Sequence, residues 1–196
     1  MKKQITKEQY VLIDMIILSL ILIALEIAGK LVLNAFPREL FTISLVLPIT
    51  LIAMMRHGAI GSALAVIGAV VYCALNSASW DVYIIYIVGN LFIVINLLWF
   101  RFWGKELIRI SLLLVVFYVL SGYILMNLGR SVLAFTFGYK PFFDNMVRYF
   151  TTDALSGVMA VVILWVARRQ DGVFEDQMIY LKRIAAEEEQ RNGKKA

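Results

Sequence analysis

The sequence predicts an all-α integral membrane protein: a six-transmembrane-helix bundle followed by a C-terminal amphipathic cytoplasmic helix. Three observations lead there. Of 196 residues, 61% are hydrophobic and the mean hydropathy is +0.80, against about 45–50% apolar in an ordinary soluble domain. Only 17% are charged, and those gather in short stretches. The intervening apolar runs approach the roughly 20 residues that a helix needs to cross a bilayer.

The runs predict helices at 9–34, 39–55, 59–76, 82–100, 106–127 and 147–168. Each is set off by turn or charge signals. In order these are Pro37-Arg38-Glu39, Arg56-His57-Gly58, Asn76-Ser77-Ala78-Ser79, Arg101 to Lys105, and the longer stretch from Leu128 to Met146. Lys and Arg then set the orientation. With the N-terminus inside, only Lys30, Arg38, Arg130, Lys140 and Arg148 of the 19 basic residues fall outside. That bias puts both termini in the cytoplasm and requires an even number of crossings, in a multi-pass protein of the cell membrane. The same bias accounts for the net charge of +5 and the pI of 9.3 without nucleic acid as a partner. No cleavable signal peptide is expected, because the apolar run after Lys7 is too long and no A-x-A site follows it.

Two domains follow: residues 1–170 as the transmembrane part, and 171–196 as a cytoplasmic helix and tail. In the latter, Phe174, Met178, Leu181 and Ala185 recur at helical spacing among charges. Such a helix either lies on the headgroups or docks a partner. The third helix carries Gly61, Ala65, Ala69 and Cys73, small residues four apart that let a neighbouring helix approach closely. This stripe serves either packing within the bundle or a partner.

With a single cysteine (Cys73) and a single histidine (His57), neither an internal disulfide nor a Cys/His metal site is expected. No cofactor is implied. Asp14 sits near the inner end of the first helix, within reach of headgroups. Glu26 lies in its outer half, where it either pairs with Lys30 one turn on or faces an outward-opening cavity.

The outer ends hold most of the polar and aromatic side chains. Trp80, Tyr83 and Tyr86 open the fourth helix, and Asn90 follows a turn later. Tyr123 and Asn127 close the fifth. Arg130, Tyr139 and Lys140 occupy the loop, and Arg148, Tyr149 and Asp153 lead into the sixth helix. Trp and Tyr favour headgroup depth in any membrane protein. Here three helix ends and one loop converge, with Asp153 about a turn inside, and that convergence favours a pocket for an organic ligand that stacks and hydrogen-bonds.

The segment from Leu47 through Gly61 (LPITLIAMMRHGAIG), running on to Gly68, resembles the second and third helices of S-components. These are the substrate-binding subunits of energy-coupling factor (ECF) transporters, a type of ABC importer. Asp153-Ala154-Leu155-Ser156-Gly157 resembles the polar start of their sixth helix. The resemblance spans roughly residues 10–170. It implies a bundle that captures a vitamin or related micronutrient at the outer face, with loops closing over it. It also implies docking on a T-component membrane protein driven by two cytoplasmic ATPases, and toppling to release the cargo inward. The family often carries an A-x-x-x-A pair on the first helix for that docking. Here Ala24 and Ala28 have the spacing but lie nearer the outer end, and Ser19 is closer to the usual depth. The small stripe Gly61, Ala65 and Ala69 is a further candidate for the docking face.

No G-x-x-x-x-G-K-[ST] phosphate loop occurs, so ATP hydrolysis falls to partner subunits. An intramembrane enzyme would have only Asp153, Glu26 and Arg148 for acid–base chemistry. The competing reading is a structural six-helix membrane scaffold of cell-shape (MreD-like) type, which basic ends and an amphipathic tail suit equally well.

Overall fold

A computed structural model describes residues 7–35 and 41–193. The predicted turn at Pro37-Arg38-Glu39 lies outside them. Every regular element among the described residues is helical.

Helix α1 (Lys7–Ala35) is uninterrupted and about 43 Å long at 1.5 Å per residue. Only a narrow seam of Met15, Leu22, Glu26 and Gly29 is buried, while Leu12, Ile16, Leu20 and Leu31 are each at least half exposed. A face this apolar needs hydrocarbon around it. Four stretches have the length and apolar composition to cross a membrane, 8–35, 46–75, 80–102 and 112–136, the second of them folded back on itself. A fifth is the pair α8 (Phe142–Thr152) and α9 (Ala154–Ala167), bent by 50° at Asp153. The chain thus has the helices of a multi-pass membrane protein.

The stretch 46–75 is a hairpin. Helix α2 (Val46–His57) ends at Gly58, whose φ of 67° turns the chain into a 3₁₀ segment (Gly58–Ser62) and then α3 (Ala63–Leu75). A Cβ built on Gly61 would lie 2.3 Å from the carbonyl carbon of Ala53, and one on Gly68 would lie 2.4 Å from Val46 Cγ2. Residues eight positions apart stand about 12 Å apart in a straight helix, so α3 must run back along α2. This explains the small-residue stripe. Gly61, Ala65, Ala69 and Cys73 are all buried, and the Ala65 carbonyl accepts from Asn90 Nδ2 at 3.2 Å. The stripe packs inside the bundle, which corrects its assignment as a partner-docking face. Of the other docking candidates, Ala24 and Ala28 are exposed and Ser19, half-buried, bonds back to the Met15 carbonyl at 2.7 Å.

Three boundaries differ from the sequence expectation. Residues 41–45 are non-helical, because their polar groups bond elsewhere: Thr42 N donates to the Thr152 carbonyl (2.7 Å), and Leu45 N to Glu26 Oε1 (2.7 Å). Helix α4 (Trp80–Leu91) continues through a 3₁₀ segment (Phe92–Leu97) into α5 (Leu98–Phe102). The expected helix 106–127 is two helices, α6 (Lys105–Ile110) and α7 (Leu112–Thr136). Ser111 caps the second by accepting from Leu114 N at 3.4 Å. Arg130 therefore stands on a helix and not in a loop.

Helices α4 and α7 cross in backbone contact. A Cβ on Gly89 would lie 2.7 Å from Arg130 N, and one on Gly129 would lie 2.4 Å from the Gly89 carbonyl oxygen. Two glycines at one crossing allow this approach, and the approach sets Arg130 beside Asn90.

At one end of the bundle the chain's charges gather. Asp14 accepts from Arg56 (2.6 Å) and His57 (2.5 Å), Lys105 meets Asp176 (2.5 Å), and buried Glu175 meets Arg109 and Arg183 (3.2 Å each). Tyr10, near the start of α1, donates to Gln177 at the start of α10 (Gln177–Gly193) over 2.8 Å. The starts of α1 and α10 thus meet on one side. The expected apolar stripe of the tail is not seen as such. Phe174 lies ahead of α10 and is buried against Tyr118, Leu181 and Ala185 are exposed, and the Met178 side chain lies outside what is described.

Candidate functional site

At the opposite end, α3, α4, α7 and the α8–α9 bend converge on Arg130. Its side chain is 8% exposed, and a cation in that position needs partners. Nη1 pairs with Asp153 Oδ2, and Nε donates to Asn90 Oδ1 at 2.7 Å. Asn127 Oδ1 lies 3.5 Å from Nη1. The guanidinium also lies 4.6 Å from the Tyr86 ring centroid, a cation–π distance. Asn90 is itself fixed by its bond to Ala65 in α3, and Asn127 by donation to the Tyr123 carbonyl at 3.1 Å.

Asp153 ties this core to the α1–α2 connection. Its other oxygen accepts from Thr42 Oγ1 at 2.6 Å. Ser156 then donates to the Thr42 carbonyl and accepts from Ser44 N, each at 3.0 Å. Ser44 Oγ donates to Glu26 Oε1 at 3.0 Å. Glu26 therefore serves the connection, and Lys30 bonds Asn76 Oδ1 at 2.6 Å instead. The local Glu26–Lys30 pair expected as one alternative is not formed.

Above the ion pair lies an aromatic wall. Tyr72 stacks on Tyr86 at 4.8 Å and 22°, and Tyr149 meets Tyr86 edge-on at 6.1 Å. These three rings line a cleft of about 310 Å³, with Thr42, Asn76, Tyr139 and Arg148 around it. A side cavity of about 60 Å³ shares Thr42, Tyr72 and Asn76 and reaches Glu26 and Lys30. Beneath, beside Arg130 and Asp153, only two voids of about 10 and 20 Å³ remain, each the space of a single water. The cleft falls at the lower end of the size range of small-molecule sites, and its mix of rings with a few directed polar groups is theirs too. At its rim, Tyr139 donates to Asp81, and this bond raises the phenol above its ordinary pKa, keeping the hydroxyl protonated.

Of the thirteen residues proposed as ligand-binding from sequence, Tyr86, Asn90, Arg130, Tyr149 and Asp153 form the centre. Asn127 and Tyr123 back it, the latter donating to the Phe150 carbonyl at 2.5 Å. Tyr139 and Arg148 stand at the rim, and Glu26 opens on the side cavity. Three stand apart. Trp80 is 83% exposed with its ring 5.7 Å from Tyr83, the arrangement of a headgroup belt. Lys140 is exposed, and only its carbonyl is engaged, by Asn145 Nδ2 at 2.6 Å.

Sequence reasoning missed Tyr72, Thr42, Ser44, Asn76 and Ser156. Tyr72 and Asn76 did leave a signal, since they stand four apart at the outer end of α3 and share one face of the helix. Thr42 and Ser44 left none, because both fall inside a run that reads as helix.

The chain matches no protein-family profile, no curated protein and no solved structure. The arrangement of its own residues is what carries a functional reading.

Proposed function

We propose that this chain is the substrate-capturing S-component of an ECF-type ABC importer, one that binds a vitamin or related micronutrient at the outer face. The observation that carries the reading is the tyrosine-walled cleft over the Arg130–Asp153 pair, at the end of the bundle opposite its charged end. A buried, fully cross-braced cation beneath stacked rings is a preorganised floor for a small organic molecule.

In this reading the two arms of the 46–75 hairpin count as separate crossings, giving six with the α8–α9 pair. The charged end is cytoplasmic by the basic bias, so the cleft opens outward and both termini lie inside the cell membrane. The connection at residues 41–45, held to the floor through Thr42 and Ser156, is one of the loops that would close over cargo. Release requires a T-component and two ATPases, since the chain carries no phosphate loop. Ser19, Ala24 and Ala28 on α1 remain the candidates for the docking face, and α10 is a candidate surface for the membrane or a partner.

The test is a thermal-shift and calorimetry screen of vitamins and cofactor precursors on the purified chain, without ATP. A single tight binder is expected. A screen with no binder, together with co-purification of cell-wall synthesis proteins instead of ATPases, would overturn the reading in favour of a scaffold.

A further inference from the structure

The charge pattern of the cleft narrows what it takes. Arg148 is exposed, lines the cleft, and has no ion-pair partner among the described residues. No carboxylate lines that cleft. In the adjoining cavity Lys30 bonds only the neutral amide of Asn76, while Glu26 is occupied by Ser44 and Leu45. Below, the charge of Arg130 is matched by Asp153. The mouth of the cleft therefore presents, among the described residues, one cation without an ion-pair partner, Arg148, above a floor whose own charges are matched.

From this geometry we propose that the captured compound is a planar aromatic ring bearing an anionic group. The ring lies against Tyr72, Tyr86 and Tyr149, and its carboxylate or phosphate meets Arg148. The assignment rests on the capture reading above and goes beyond it. Rings stack on the tyrosine wall through offset or edge contacts. The anion forms charge-assisted hydrogen bonds, for which a guanidinium fork suits both carboxylate and phosphate. A cationic compound would face the like charge of Arg148 at the mouth, and a neutral one would forgo the strongest contact on offer.

The test uses the full chain in nanodiscs with the vitamin panel and three matched pairs that share a ring and differ in charge. These are nicotinate with nicotinamide, naphthoate with naphthamide, and flavin mononucleotide with riboflavin. The anionic member is expected to bind at least about tenfold tighter, the scale of one charge-assisted hydrogen bond. Arg148→Gln is expected to erase that ratio, and Arg148→Lys to keep part of it. Arg148 is exposed and its side chain makes no hydrogen bond, so both variants should keep the parent melting temperature. Acid and amide binding alike, a ratio untouched by Arg148→Gln, or hits confined to neutral or cationic compounds would overturn the anion assignment and leave capture standing. No binding by any compound would overturn both.

Discussion

A guanidinium buried among apolar helices persists only when each of its charges and donors is answered. Arg130 meets that condition through Asp153, Asn90, Asn127 and Tyr86. Removing one member of such a pair costs about 3–5 kcal/mol, because the survivor stays buried without its counter-charge. Arg130→Met and Asp153→Asn should each destabilise the detergent-solubilised protein by that order, read as a lower thermal midpoint. The Arg130→Met/Asp153→Asn double variant should lose much less than the sum of the two singles. Strictly additive losses in the melting curves would show that the pair does not act as a unit. Asn90, Asn127 and Asp153 were legible in the sequence because charge and amides in apolar runs demand an explanation, whereas Arg130 read as part of the outer loop. Tyr72 was not, since a tyrosine at a helix end reads equally as headgroup belt. Only the turn at 76–79, which folds α4 back along α3, brings it onto Tyr86.

At the scale of elements, the site exists because α4 and α7 touch. Alanine at Gly129 would drive its Cβ to 2.4 Å from the Gly89 carbonyl oxygen. No side-chain motion relieves a clash with backbone, so the helices must separate and Arg130 must leave Asn90. Gly129→Ala should therefore destabilise by about 1–3 kcal/mol, the usual range for overpacking, and weaken ligand binding as well. Gly104→Ala is the control. Its φ of 71° is strained for alanine, yet nothing stands within 4 Å of the new Cβ. It should cost about 1–2 kcal/mol and leave binding intact, which thermal shift and titration together would read. A Gly129→Ala protein with unchanged affinity would remove the helix crossing from the account of the site. Sequence periodicity found these helices but misread their ends. The Gly129-Arg130-Ser131 run resembles a loop by composition, and only the crossing reveals why a helix carries it. Thr42 and Ser44 show the converse: an apolar run reads as helix until side chains three elements away claim its backbone.

For the whole molecule, the decisive expectation is which ends share a side. Lys105 reaches Asp176, Arg56 donates to the Gly172 carbonyl at 2.7 Å, and Tyr10 reaches Gln177. The 102–105 turn, the α2–α3 turn, the start of α1 and the segment leading into α10 therefore form one pole. Tyr139 with Asp81, and Lys30 with Asn76, form the other. The Lys and Arg distribution alone leads to the expectation of even parity, but the pairing across each pole was not legible, because it depends on side chains far apart in sequence. Single cysteines test it in a Cys73→Ser background, the native thiol being fully buried. In intact cells an impermeant maleimide should label Ser77→Cys and Lys140→Cys. It should reach Trp103→Cys and Gln170→Cys only after the membrane is opened. All four positions are exposed in the structure, so access is set by the side of the bilayer and not by packing. Labelling of Gln170→Cys together with Lys140→Cys from outside would mean an odd number of crossings. The cleft and the charged pole would then face the same compartment, and a protein that collects at one face to deliver at the other could not be built this way.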